Sequence, residues 1–288
     1  MVSLVKEKQT VDVLICGAGP VGLFLANELA EFEISYRIIE KVEKHPNFSK
    51  ALLVAPRTME ILDNSLLEPF LEHGVKVNHF CTYQNVHDDP IKIDLSTMDN
   101  PFAFGLLNRQ NKTMDYLNDA LQKKKSLGKK QVSNIEFGTE LIKYEEKDDH
   151  IVAIVKKNNM EKEIICQYLV GCDGCHSAVR KGTKGWTYEG QSLKSSWALA
   201  DVEIDHELVK YDHVTAFALG EGPLVMFPLD ARKNTFRIVA KVSEEENKLE
   251  TNDHVTHGLT NETHITLEEF QKLIDERIAP IKLELKNP

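Results

Sequence analysis

The 288-residue chain is built of short apolar runs set between polar punctuation, and the period of those runs changes along its length. Residues 11–16, Val-Asp-Val-Leu-Ile-Cys, form a short β-branched run of the kind a buried parallel strand shows. Three closely spaced glycines follow, and then Leu23, Leu25, Ala26, Leu29 and Ala30 recur at helical spacing. Tyr36-Arg37-Ile38-Ile39-Glu40 reads as a second strand that ends on a carboxylate. A polar loop over 41–50, broken by Pro46, leads to a helical stretch over 50–62 with Pro56 near its start. Residues 75–83 and 91–95 read as strands joined through His87-Asp88-Asp89-Pro90.

Residues 110–121 have helical periodicity through Met114, Leu117 and Leu121. The tract 122–130 holds five lysines and one large apolar residue, Leu127; a solvated loop is the expectation, a basic binding patch the minority reading. Strands are expected over 135–144, 151–155 and 163–172, with residues 145–149 as a charged hairpin tip. Residues 197–242 are strand-like, broken at Gly220-Glu221-Gly222-Pro223 and at Asp230-Ala231-Arg232-Lys233-Asn234. Residues 243–263 read as a mobile polar loop, Thr266-Leu267-Glu268-Glu269 as a capped helix start, and 281–285 as a last strand. There is no internal repeat. The order predicts an α/β chain, α+β overall: a Rossmann-like βαβ domain with an inserted, mostly antiparallel sheet.

The glycine turn carries the first candidate chemistry. Gly17 permits a tight turn, Gly19 lets backbone amides approach a pyrophosphate, and Gly22 lets helix and strand pack closely; Pro20 opens the helix. A helix N-terminus offers unpaired N–H groups and partial positive charge to phosphates. Glu40 stands about 20 residues further on, where an acidic side chain accepts hydrogen bonds from an adenosine ribose. A bare Gly-rich turn is the alternative, but the flanking strand, helix and carboxylate favour a dinucleotide site.

The second informative stretch is Gly171-Cys172-Asp173-Gly174-Cys175-His176-Ser177-Ala178-Val179-Arg180, a strand end followed by a helix start near His176 or Ser177. Ligands gather at such strand-to-helix turns in open α/β sheets. Read literally, Cys172 to His176 is C-x-x-C-H, which also admits a c-type haem attachment site, a zinc half-site or a redox-active pair. No second CxxC accompanies it, and the bland reading, small residues packing a tight turn, is preferred. His254 and His257 lack a carboxylate context and are read as loop. No metal site is expected.

Composition narrows the class. Hydrophobic content of 42% and charged content of 28% are those of a globular chain able to bury a substantial core. A net charge of −10 argues against nucleic acid as a main partner. No apolar run approaches the ~20 residues of a membrane helix, and the N-terminus lacks a signal-peptide core. A cytoplasmic location is therefore expected, and five cysteines in such a chain do not suggest a disulfide framework.

Taken together, Gly17-Ala18-Gly19-Pro20-Val21-Gly22 with Glu40, Lys50-Ala51 with Pro56-Arg57-Thr58-Met59-Glu60-Ile61-Leu62, and Gly171-Cys172-Asp173-Gly174 with Ser177 and Arg180 resemble the FAD-dependent aromatic hydroxylases, the single-component flavin monooxygenases that act on phenols and para-hydroxybenzoate. The resemblance covers roughly the first two-thirds of a typical member. It implies FAD as cofactor, NAD(P)H as reductant, and a small aromatic substrate hydroxylated with O₂ through flavin C4a-hydroperoxide chemistry, with a homodimer left open. It implies that Gly17, Gly19, Pro20 and Gly22 hold the pyrophosphate and Glu40 the ribose. Lys50 stands where an arginine usually lies beside the flavin, so charge is kept and the planar fork lost. Arg57 belongs to the same stretch, and Gln110 resembles a flavin-contacting residue at a helix start. Asp173 and Gly174 resemble the motif serving both FAD and NAD(P)H, closed by Arg180. Phe227-Pro228-Leu229 resembles the strand over the substrate pocket, with ordinary sheet core as the alternative. No catalytic side chain stands out, because the cofactor carries the chemistry.

The resemblance places an FAD/NAD(P)H-binding domain at 1–75 and 102–184 and the substrate-domain sheet at 76–101 and 185–288. The family's third FAD motif, Gly-Asp-Ala-Ala-His, has no counterpart before Pro288, so the C-terminal part of the FAD domain is expected to be absent. A truncated or degenerate, non-catalytic FAD-binding module is thus the first alternative, and an NAD-dependent dehydrogenase using the same glycines the second.

Overall fold

The structure is a computed structural model that describes residues 9–45, 51–129, 131–190, 195–219, 222–242 and 266–286. Lys50 and the polar stretch 243–263 lie outside the described residues. Two compact units share the chain: Met1–Lys50 with Gln110–Gly190, and Ala51–Arg109 with Gln191–Pro288. These cuts differ from the expected boundaries at 75/76, 101/102 and 184/185. Leu53–Val54, Val75–Val77 and Gly105–Leu107 form one three-stranded sheet, which groups 51–75 and 102–109 with the second unit.

The first unit is built on a six-stranded sheet. Strand Gln9–Cys16 lies at its centre, paired in parallel with Tyr36–Ile39 on one side and Met160–Gly171 on the other. Ile135–Glu136 adds a fourth parallel strand, and Ile151–Lys157 and Thr139–Glu146 continue the sheet as an antiparallel meander. The sheet is therefore mixed rather than purely parallel. Val13, Leu14, Ile15 and Cys16 are all buried, as expected of a central strand covered on both faces. Leu14 and Ile15 are fully enclosed, and burial of such side chains contributes roughly 1.5–3 kcal/mol each.

Helix Pro20–Glu31 buries Gly22, Leu23, Ala26, Asn27 and Ala30, one stripe at three- and four-residue spacing. It packs on helix Gln110–Ser126, where Asn27 Nδ2 donates to Leu117 O at 2.8 Å. That second helix corrects the loop expected from residue 122. Lys123, Lys124 and Lys125 fill its last turn, where cations complement the helix dipole. Lys124 Nζ also donates to Asn27 O at 3.0 Å.

The second unit holds a six-stranded sheet in the order Ser196–Glu203, Thr235–Val242, Leu224–Asp230, His213–Phe217, His79–Tyr83, Ile91–Asp94. Every pairing is antiparallel except His213–Phe217 with His79–Tyr83. One face packs on helix Leu267–Ile278 through Phe236, Ile238, Phe270 and Ile274. Thr266 begins that helix with the expected capping box. Several elements depart from expectation. The run 75–83 splits at Asn78 into strands of different sheets, and 50–62 gives strand Leu53–Val54 before helix Pro56–Ile61. Residues 281–285 form no strand: Leu283 and Leu285 are buried, and only Lys286 bridges to Glu203. Helix Asn64–His73 was not foreseen.

Candidate functional site

The two motifs lie at the carboxyl ends of adjacent parallel strands, Cys16 in register with Gly171. Gly17 donates its N–H to Ile39 O at 2.8 Å, and Cys172 donates to Cys16 O at 2.7 Å. At Gly17, φ is +99°, and a Cβ there would stand 2.3 Å from Cys172 O. A Cβ on Gly22 would stand 1.9 Å from Gly17 O. Both glycines are thus demanded by the fold itself.

Gly19 is different. It has ordinary backbone angles, and a Cβ would meet nothing within 4 Å. It is the N-cap of helix Pro20–Glu31, makes no side-chain cap bond, and precedes Pro20 at the first helical position. Helix geometry leaves the Val21 and Gly22 amides without intrahelical acceptors. The open side of this turn is the arrangement that receives a phosphate anion.

Glu40 ties the turn to the second strand. Its Oε2 accepts from Ala18 N–H at 2.8 Å and its Oε1 from Val42 N–H at 3.2 Å. Each carboxylate oxygen keeps acceptor capacity for a further hydroxyl donor.

Asp173 sits in the adjoining turn. Its Oδ2 accepts from the N–H groups of Ala178 at 2.6 Å and Val179 at 3.3 Å, which fixes the start of helix Ala178–Gly182. Its Oδ1 is buried and makes no hydrogen bond. A buried acceptor without a donor costs free energy, and a ligand hydroxyl would relieve that cost. Gly174 has φ of +72° with open space at its Cβ position. Arg180 donates to Cys175 O at 2.7 Å and lies over the Tyr188 ring, 4.2 Å from its centroid. A cavity of about 330 Å³ beside this turn is lined by Gly171, Ser177, Arg180, Tyr144 and Trp186 among others.

Two cysteines flank Asp173 in this turn. Cys172 and Cys175 are free thiols, and burial, then the Asp173 carboxylate, pushes the Cys172 thiol above its ordinary range. A protonated thiol is a poor nucleophile and a poor metal ligand, which speaks against the redox reading of C-x-x-C-H.

The remaining sequence candidates fall elsewhere. Gln110 heads helix Gln110–Ser126 in the first unit. Arg57 is in the second unit, with its side chain 80% exposed and paired to Glu60 Oε2 at 2.5 Å. That bond, with a second from Asn100, holds Glu60 below the usual carboxylate range. Phe227 and Leu229 pack against the buried cluster of Leu52, Val77, Leu107 and Val214, so this segment is at least sheet core. Sequence reading missed Arg237, buried and bound to Asp201 through Nε at 2.6 Å and Nη2 at 3.0 Å, with Arg109 on the same carboxylate at 3.2 Å. An Arg inside a strand-like run gives no local sign of its distant partner.

A family model described as an FAD binding domain matches residues 10–277. The chain belongs to the FAD-dependent aromatic hydroxylase family. Among its relatives, 6-methylpretetramide 4-monooxygenase of Streptomyces rimosus is 31% identical over 226 residues, 77% of this chain and 39% of that protein. The solved anhydrotetracycline hydroxylase OxyS from Streptomyces rimosus superposes with a TM-score of 0.65 at 25% identity, covering 93% of this chain and 49% of that one. The p-nitrophenol 4-monooxygenase from Pseudomonas putida shares the fold, with a TM-score of 0.74 at 18% identity over 97% of this chain and 67% of that one. The chain spans 33–42% of the length of the curated relatives it matches. FAD is the cofactor of this family, and its relatives are monooxygenases; a dehydrogenase reading has no support among them. Among the described residues no helix is long and apolar enough to cross a membrane.

Proposed function

We propose that the chain binds FAD through the paired turns of its first unit and serves NAD(P)H- and O₂-dependent hydroxylation of a small aromatic compound. The observation that carries the reading is the buried, unpartnered Asp173 Oδ1 beside an open, uncapped glycine turn. The residues present fit the group: an anion seat, a ribose acceptor and an orphaned acceptor stand in one unit.

In this reading Gly17, Gly19, Pro20 and Gly22 present the helix amides to the pyrophosphate, and Glu40 accepts from the adenosine ribose. Asp173 Oδ1 would accept a hydroxyl hydrogen from the bound cofactor, while Oδ2 keeps the following helix in place. Gly174 leaves that approach open, and Arg180 braces the turn through Cys175 O. Gln110, Lys50 and Arg57 are proposed as further cofactor contacts by their place in the family's motifs. FAD, when bound, supplies hydride acceptance from NAD(P)H and activation of O₂. The protein's share is placement and exclusion of water. The aromatic substrate class comes from the activities for which the relatives are named, and Phe227 and Leu229 would offer it apolar surface.

The test is turnover of the FAD-loaded chain with NADH or NADPH, a panel of phenols and ¹⁸O₂. Phenol-stimulated NAD(P)H oxidation with one labelled oxygen in the product is the expected result. Bound flavin that oxidises NAD(P)H without labelled product would replace hydroxylation by the non-catalytic module.

A further inference from the structure

In the second unit, strands His79–Tyr83 and His213–Phe217 run parallel with His79 directly beside His213. The two imidazole rings stand 4.8 Å apart between centroids. Asp212 precedes His213, whose Nδ1 donates to Asp212 Oδ1 at 2.6 Å. One ligand atom from each of His79, Asp212 and His213 lies within 4.8 Å of the others. His79 Nδ1 is buried, makes no hydrogen bond, and stands 3.5 Å from the Asp94 carboxylate. Side-chain exposures of 16% for His79, 20% for His213 and 53% for Asp212 describe two sheltered imidazoles with a carboxylate at the mouth.

We propose that His79, His213 and Asp212 bind one divalent transition-metal ion of the imidazole-favouring class, with zinc as its representative. Two neutral imidazoles and one carboxylate form a borderline donor set that suits such ions rather than magnesium or calcium. Zinc bonds of ~2.0–2.2 Å place ligand atoms roughly 3.4 Å apart, so small side-chain rotations gather these three. The backbone is already held for it: Asp212 O accepts from Asn78 N–H at 2.8 Å and His79 N–H at 3.3 Å. Asp94 adds a second negative charge beside His79, which favours a cation at this end of the strands. The bound ion would clamp the one parallel pair of an otherwise antiparallel sheet. The site involves none of the proposed flavin contacts and does not depend on that reading.

The experiment uses the full chain stripped with chelator, titrated with zinc against a chromophoric competitor, and melted with and without zinc. One equivalent of tight binding and a raised melting midpoint are expected. Asp212→Asn keeps the shape at a half-exposed position and should weaken zinc about tenfold or more while leaving the metal-free melt unchanged. His213→Gln should weaken zinc likewise, and His87→Gln, an exposed control, should bind as the parent does. Absence of stoichiometric binding, or Asp212→Asn and His213→Gln both binding as tightly as the parent, would overturn the site.

Discussion

At the residue scale, the three glycines of one motif do different work. Gly17 and Gly22 are packed against backbone, Gly19 against nothing. Gly22→Ala forces a Cβ into Gly17 O and should cost about 1–3 kcal/mol or more, as overpacking does. A melt should show it as a fall of several degrees. Gly19→Ala should leave the melt unchanged yet raise the FAD dissociation constant about tenfold, ~1.4 kcal/mol, because its methyl group would crowd the open side of the turn. Equal FAD affinity in parent and Gly19→Ala would remove the pyrophosphate from that seat. The spacing of these glycines and of Glu40 was legible in the sequence, since it is local and tied to one turn geometry. The bond from Ala18 N–H to Glu40, the orphaned Oδ1 of Asp173 and the pairing of His79 with His213 were not. They depend on where side chains point after distant strands have met.

At the scale of elements, strong local periodicity was a faithful guide. Strand Gln9–Cys16, helix Pro20–Glu31 and the start of helix Gln110–Ser126 follow it. The errors have physical causes. Lys123, Lys124 and Lys125 look like loop by polarity, but the helix dipole favours cations in a last turn. Helix Asn64–His73 carries Pro69 in its interior, a residue that normally breaks a helix and gives no local sign of one. Residues 281–285 alternate like a strand, yet their backbone serves helix Leu267–Ile278: Leu285 N–H donates to Gln271 Oε1 at 2.9 Å and Gln271 Nε2 to Leu283 O at 2.7 Å. The same helix offers a test of its cap. Thr266 Oγ1 accepts from Glu269 N–H, while Glu269 accepts from Thr266 N–H and Oγ1. Thr266→Ala should cost about 1 kcal/mol at neutral pH. Those bonds from the Thr266 backbone and hydroxyl hold the Glu269 carboxyl below its ordinary value of 4.5. A depressed carboxyl stabilises the fold above its unfolded value, and that contribution is lost as pH falls through the lower folded value. The gap in melting midpoint between parent and Thr266→Ala should therefore narrow as pH drops below 4.5. A constant gap would show that the Glu269 half of the box is idle.

At the scale of the molecule, the chain crosses between its two units at 50/51, 109/110 and 190/191. A parallel core in the first large sheet and a mostly antiparallel second one were foreseen, because parallel strands read as continuous apolar runs and the later strands come with short turns; the antiparallel meander of the first sheet and the separate three-stranded sheet were not. The cuts were not, because residues 51–109 mix helices and strands with no composition break, and only tertiary pairing groups them. The first unit alone contains the glycine turn, Glu40, Gln110, Asp173, Gly174 and Arg180. Its net function is thus testable apart from substrate or turnover. The most direct measurement is a titration of the purified chain with FAD, followed by flavin fluorescence, for the parent and for Asp173→Ala. Saturable binding of one equivalent, weakened about tenfold or more in the variant, is the expected result. A chain that retains no FAD, or a variant that binds it as tightly as the parent, would contradict the assignment of the paired turns as the flavin site.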